Sequence, residues 1–333
     1  MQFLDAARVA AHLDRRVLID ALDAAFRRPH SAPDRQHYPL ESDASGRTGG
    51  TLLVMPAWNG GHALGVKLVT VFPDNDSRGL PTVCASYVMM DRRTGEPRAI
   101  LDGTELTRRR TGAASALASR HLSRPEASRL LMVGTGNLAA HLIDSHALVR
   151  PIREVRIWGR RFERADALAA SLRRPGLAVE AARELEAAVR WADIISCATL
   201  SREPLVRGAW LAPGQHLDLV GAFTPAMCEV DDAAVARSEL FVDTRSGVLG
   251  ESGEIIGALA RGVIRESALR AEFGDLPRGT FRRSTPQAIT LFKSVGAALE
   301  DLVAAEIVVQ GADGLRPGEP PGRPARSSLP SRP

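Results

Sequence analysis

The chain has 333 residues, 44% of them apolar and 25% charged, a globular composition with room for roughly two domains. Its 43 basic and 39 acidic residues leave a formal net charge of +4. The arginines are interleaved with acids rather than gathered into a stripe, which argues against a nucleic-acid partner.

No apolar run approaches the roughly 18 residues of a membrane helix. The opening stretch "MQFLDAARVAAHLDRR" has no apolar core of the signal-peptide kind. Cys84, Cys197 and Cys228 are far apart with no C-x-x-C pair. They predict free thiols, a cytoplasmic location and no structural zinc, and the scattered histidines suggest no metal site. Only two of the basic residues are lysines, Lys67 and Lys293. Arginine fills the ordinary cationic positions, so a retained lysine asks for a reason.

Residues 3–28 carry apolar positions at helical spacing and predict one or two helices. From residue 51 the pattern turns to short β-rich runs, "TLLVMPAW", "ALGVKLVTVF" and "TVCASYVMMD". "YVMMDRRTGEPRAIL" predicts a hairpin bending at Arg93-Thr94-Gly95. An alanine-rich helix is expected over about 104–122. Strand and helix then alternate for some 150 residues: "RLLMV", a helix to about 149, "EVRIWG", "RFERADALAASL", "LAVEA", "ARELEAAVRWA", "DIISCAT", "QHLDLVGA", "VDDAAVARS" and "LFVDT". Such alternation predicts an α/β fold with a Rossmann-type, doubly wound parallel sheet. "STPQAITLFKSVGAALEDLVAAEIVVQG" is expected to be helical, its first part returning to the N-terminal unit. Residues 312–333, rich in Pro, Gly, Ser and Arg, are expected to be a disordered tail.

The turn Gly134-Thr135-Gly136-Asn137-Leu138-Ala139 follows the first strand of the alternating series and opens its first helix. In that setting G-x-G-x-x-A is a dinucleotide site: Gly134 permits the tight turn, Gly136 the approach of a pyrophosphate and Ala139 close packing. The second strand ends at Gly159-Arg160-Arg161, without the acid that binds an NAD ribose. Two guanidiniums there either lie on a solvated helix start or hold a 2′-phosphate. The missing acid favours NADP(H), with NAD(H) possible.

Taken together, "LLVMPAW", "GVKLVTVFPDN", "GLPT", "LDGTELTRRRTGAASALASRHL", "VGTGNLA", "VRIWGRR", "LVGAFTP" and "LFKSVGAALEDL" resemble the ornithine cyclodeaminase/mu-crystallin family, up to about residue 310. That family also holds archaeal-type alanine dehydrogenases and ketimine (pyrroline-2-carboxylate) reductases. The resemblance implies a discontinuous α+β substrate and dimerisation domain over 1–113 with 287–311, a dinucleotide-binding domain over 114–286, and a homodimer. It puts Arg35, Lys67 and Arg110 on the substrate carboxylate, with Arg47 as the alternative to Arg35. Phe223 and the loop Ser294-Val295-Gly296 would line the substrate site. The cofactor would meet Thr82, Arg110, Thr111, Gly134, Thr135, Gly136, Asn137, Leu138, Arg160, Arg161, Thr199, Val220 and Gly221.

The residues themselves are consistent with these roles. A small imino acid offers a fixed carboxylate, which a planar guanidinium suits. Lys67 in an apolar strand is either an edge charge or a site residue, and its rarity favours the site, with a catalytic role. One departure stands out. Cyclodeaminases of the family carry a basic aspartate after the fifth strand, where this chain has Phe223; Asp218 or Glu229 are the alternative acids. The resemblance therefore implies NAD(P)H-dependent reduction of a cyclic ketimine carboxylate, Δ1-pyrroline-2-carboxylate or its piperideine homologue. Cyclodeamination, amino-acid dehydrogenation and cofactor-dependent ligand binding without turnover are the alternatives.

Overall fold

Alternation with a period of two sorts the β-rich N-terminal runs onto two faces. The computed structural model describes residues 1–41, 49–61 and 63–314. Its first unit comprises β1 (Gln2–Leu4), α1 (Ala6–His12), α2 (Arg15–Phe26), β2 (His30–Ser31), β3 (Gln36–Pro39), β4 (Thr51–Asn59), β5 (Ala63–Val71), β6 (Val83–Asp91), β7 (Pro97–Asp102) and α3 (Gly103–Leu122). The strands lie in the order β1-β7-β6-β5-β4-β2, with β3 on β4. All pairs are antiparallel except β1 with β7. The Asp5 and Asp14 carboxylates cap α1 and α2 by accepting from the Arg8 and Val17 N–H groups, at 2.9 Å each. The expected hairpin bend closes on Gly95, at φ +74°.

The second unit is β8 (Arg129–Val133), α4 (Ala139–Val149), β9 (Glu154–Trp158), α5 (Phe162–Leu172), β10 (Ala178–Ala181), α6 (Leu185–Trp191), β11 (Ile194–Cys197), β12 (His216–Leu219), α7 (Asp232–Arg237), β13 (Ser238–Val242), α8 (Arg245–Glu251), α9 (Gly253–Ala260), β14 (Leu269–Glu272) and β15 (Ile289–Lys293), after which α10 (Ala298–Ala312) returns to the first unit. Its strands run β10-β9-β8-β11-β12-β15-β13-β14, every pair parallel. The order reverses between β8 and β11, the switch point where such sheets bind ligands.

The last segment corrects two expectations: its first part is a strand rather than helix, and it stays in the parallel sheet, so that only the later helix returns to the N-terminal unit. Ile289–Lys293 is a strand between β12 and β13, and only Ala298–Ala312 is helix. All five residues of "ITLFK" are buried, and a short run covered on both faces has no alternation to reveal it as a strand. The helix also runs through Ala312, and Asp313 accepts from Gln2 Nε2 at 2.6 Å and pairs with Arg98 at 2.9 Å. Residues 315–333 of the expected tail, and Arg47, lie outside the described residues.

Helices α1, α2, α3 and α10 cover one face of the antiparallel sheet, where Ala63, Gly65, Lys67 and Val69 of β5 point. Small residues let α3 settle into this layer: Ala113, Ala114, Ala116 and Ala118 are all buried. The opposite face carries Val54, Pro56, Leu64, Val66, Leu68 and Val88, in register across three strands and only partly buried, with Leu68 exposed.

Candidate active site

The loop from β15 into α10 organises the cluster of candidate substrate residues. Asp243, just past β13, accepts from the Val295 and Gly296 N–H groups at 2.8 and 2.6 Å. From the other side Arg35 donates to the carbonyls of Val295, at 2.7 Å, and Gly296. Gly296 sits at φ +93°, and a side chain there would meet the Arg110 guanidinium at 2.8 Å. Only glycine permits both the turn and the contact.

Helix α10 begins without a side-chain cap and carries Glu300 and Asp301 in its first turn, where the helix dipole favours acids. Arg110, from α3, reaches them both: Nη1 lies 2.7 Å from Glu300 Oε2, and Nε lies 3.0 Å from Asp301 Oδ1. Lys67 donates to Asp301 Oδ2 at 2.6 Å. Because β5 runs between β4 and β6, Lys67 is an interior residue, only 2% exposed. That overturns its reading as an edge charge.

Burial and the neighbouring Arg110 pull the Lys67 ammonium down to about 8, against the opposing pull of Asp301. Burial pushes Glu300 up to about 7; Asp243 and Asp301 add to the rise and Arg110 opposes it. Burial also acts to raise Asp301, yet Arg110 and Lys67 overcome it and hold that carboxyl below its ordinary range. Arg35 pairs with Glu251 at 3.0 Å. The arrangement thus presents a guanidinium and a compact ammonium backed by acids, the ammonium able to give up its proton near neutrality.

The cofactor side lies at the strand ends of the parallel sheet. Gly134 adopts φ +122°, and a side chain there would strike the Ala198 carbonyl at 2.6 Å, so the turns after β8 and β11 press together at the switch point. A Cβ on Gly136 would meet nothing within 4 Å. The α4 N-terminus has no side-chain cap. Open space before uncapped N–H groups fits a pyrophosphate. Arg160 and Arg161 are exposed at the start of α5, without an ion-pair partner among the described residues.

Arg35, Lys67, Arg110 and Val295 are therefore brought together, with Thr111 buried beside Arg110 on α3. Thr135, Asn137 and Leu138 share the glycine turn, while Thr199, Val220 and Gly221 follow β11 and β12. Thr82, at the entry to β6, and Phe223, after β12, are half-buried and form no hydrogen bond or ion pair with the cationic cluster among the described residues. The alternative acids are otherwise engaged. Asp218 accepts from Ser196 at 2.7 Å and pairs with His146 at 3.1 Å, inside the core. Glu229 accepts from the N–H groups of Thr199 and Gly221, at 2.7 and 2.9 Å, and so joins two loops.

A family model for the ornithine cyclodeaminase/mu-crystallin family matches residues 1–314. The chain belongs to that family. The Δ1-pyrroline-2-carboxylate reductase of Paracoccus denitrificans is 38% identical over 311 residues, 93% of this chain and 96% of that one. The Δ1-pyrroline-2-carboxylate reductase structure of Thermococcus litoralis, in complex with NADH and L-proline, superposes with a TM-score of 0.88 at 31% identity and covers 95% of this chain and 99% of its own. An archaeal alanine dehydrogenase dimer with bound NAD gives a TM-score of 0.87 at 28% identity, covering 94% and 96%.

Glu300, Asp301 and Asp243 escaped the reading of the sequence as site residues. The available signal was two adjacent acids in a helix otherwise almost wholly apolar, "AALEDLVAA", since buried carboxylates need partners.

Proposed function

We propose that the chain is an imine reductase, which reduces a cyclic ketimine carboxylate of the Δ1-pyrroline-2-carboxylate type to the cyclic amino acid. The convergence of Lys67 and Arg110 on Asp301, beside the Val295–Gly296 loop, carries this reading. Arg110 and Lys67 hold the substrate carboxylate and thereby orient the ring. A nicotinamide dinucleotide, when bound, supplies the hydride for the imine carbon. The Lys67 Nζ, held at about 8, donates the proton that the imine nitrogen requires. Phe223 presents an apolar ring after β12, where removal of a proton from an amine would need a base, so reduction is favoured over deamination.

The exposed Arg160 and Arg161 support preference for NADP(H), because two guanidiniums beside a helix N-terminus, with no ion-pair partner among the described residues, suit a 2′-phosphate. The protein forms a homodimer through the partly buried apolar face of its antiparallel sheet; the alanine dehydrogenase neighbour is itself a dimer. It works in the cytoplasm, where the free thiols Cys84, Cys197 and Cys228 stay reduced.

The test is NADPH oxidation against Δ1-pyrroline-2-carboxylate, Δ1-piperideine-2-carboxylate and pyruvate with ammonia, alongside ammonia release from ornithine. Rapid turnover of a cyclic imine with negligible ornithine deamination is expected. Comparable rates with ornithine would require another base and overturn the reading. Turnover of none would leave a ligand-binding protein.

A further inference from the structure

The acid pair opening α10 is asymmetric. Both oxygens of Asp301 meet cations, Arg110 Nε at 3.0 Å and Lys67 Nζ at 2.6 Å. Glu300 is equally buried, yet only Oε2 is bonded, to Arg110 at 2.7 Å; Oε1 has no hydrogen-bond partner among the described residues. An ionised carboxylate with one oxygen left dry is costly, and Asp301 and Asp243 add like-charge repulsion.

We propose that Glu300 is the proton-exchanging carboxyl of this site, a positioning residue that acts through Arg110 and takes up a proton as the substrate carboxylate enters. The inference rests on the imine-reductase reading and deepens it.

Charge balance explains why. Two cations, Lys67 and Arg110, face two carboxylates, Asp301 and Glu300. With both acids ionised the cluster is neutral, and an arriving carboxylate meets cations already matched. Protonating Glu300 leaves one positive charge in excess, which the substrate carboxylate then cancels. The charged groups facing Glu300 are Arg110 on α3, Asp243 past β13 and Asp301 on α10 itself. Lys67 joins through Asp301, and Arg35 holds the adjoining loop from the other side.

Glu300 sits at about 7, so its exchange falls in the neutral range. A bound anion raises that value, and binding above it must therefore take up a proton. The dissociation constant for an anion accordingly weakens by up to about tenfold per pH unit above this point. Lys67 titrates at about 8. At about pH 7 it is already charged in roughly nine molecules of ten and can take up at most about 0.1 proton, whereas Glu300 can take up about 0.5.

The probe is pyrrole-2-carboxylate, a flat anion with no basic nitrogen to titrate. The full chain with NADPH is titrated by calorimetry at about pH 7 in two buffers of different ionisation heat. The wild type should take up about half a proton per anion, and E300Q about 0.1 or less, with a flatter affinity profile between about pH 6.5 and 7.5. A structural role alone would shift affinity without changing proton uptake. Binding without buffer-dependent heat in the wild type, or equal uptake in E300Q, overturns the proposal. Should E300Q fail to fold, the infrared difference spectrum of the wild type decides: a protonated-carboxyl band gained on anion binding supports it, and none overturns it. A chain that reduces no imine and binds no anion overturns the imine-reductase reading, and the proposal with it. Imine turnover without proton uptake removes Glu300's role alone.

Discussion

The two sheets use their buried charge in opposite ways. In the antiparallel unit Lys67 and Arg110 come from a strand and a helix to meet two acids at one helix end. In the parallel unit Lys293 is fully buried at the end of β15, but its Nζ stands 3.5 Å from Glu254 and makes no hydrogen bond among the described residues. The acids near it turn to backbone: Glu229 holds the loops after β11 and β12, and Glu254 accepts from the Glu229 N–H at 2.9 Å. One cluster gathers two cations on the acids of a helix end, where the proposed substrate would bind, while the other shapes loops. Burial of a lysine is therefore not itself a sign of function; the partners decide.

The contrast is most sharply tested by exchanging each lysine for arginine. Lys67 is a compact donor at 2.6 Å from Asp301, with an ammonium that can deprotonate near neutrality. A guanidinium is bulkier and keeps its proton. Lys67→Arg should lose at least ~100-fold in kcat/KM for the imine, or about 2.7 kcal/mol of transition-state stabilisation, while cofactor affinity is retained. Lys293→Arg should lose less than about tenfold among molecules that fold. Steady-state kinetics and fluorescence titration with NADPH measure both. Equal losses would erase the distinction between the clusters, and a near-native Lys67→Arg would remove Lys67 from catalysis.

The same contrast explains what the sequence disclosed. The parallel sheet was legible because strand and helix patterns alternate along some 150 residues, and Lys67 because the chain has so few lysines. Glu300 and Asp301 were hidden, since acids in a first helical turn are commonplace, and nothing local shows that this end is buried under β5 and α3. "ITLFK" was hidden for the converse reason: its strand is identified by neighbours more than 40 residues away, His216–Leu219 and Ser238–Val242. Helices α8 and α9 and strand β14 were unread as well, in a stretch with little periodicity.

A second test concerns cations that have no ion-pair partner among the described residues. Arg160 and Arg161 are exposed beyond β9, unlike the matched cations of the substrate side. A lost charge-assisted contact is worth roughly 1.5–3 kcal/mol. Arg160→Asp should therefore move the NADPH/NADH ratio of kcat/KM by about 10- to 100-fold toward NADH, and leave the KM for the imine nearly unchanged. Equal kinetics with both cofactors, in wild type and variant alike, would make these arginines solvated helix-start residues.

The smallest effect lies at the opposite end of the parallel strands, where charge serves stability alone. Asp193, before β11, accepts from the Ser128 and Arg129 N–H groups at 3.0 and 3.1 Å and pairs with Arg124 and Arg129 at 3.0 Å each. It ties the starts of β8 and β11 together. Burial pushes its pKa up, but the bonds from Arg129 and the two amides prevail and hold the carboxyl below its ordinary range. A depressed carboxyl stabilises the fold above the unfolded value of about 3.9, and that contribution fades as pH falls through the folded value. The arginines are 30% and 40% exposed, so solvent screens part of the gain. Asp193→Asn should cost about 1–2 kcal/mol, seen as a lower midpoint in urea at neutral pH and a smaller difference from wild type below about pH 4. Its kcat and KM should match the wild type, because no site residue touches Asp193. A change in cofactor KM without loss of stability would show that the two strand ends are coupled, and the separation of roles along the sheet would fail.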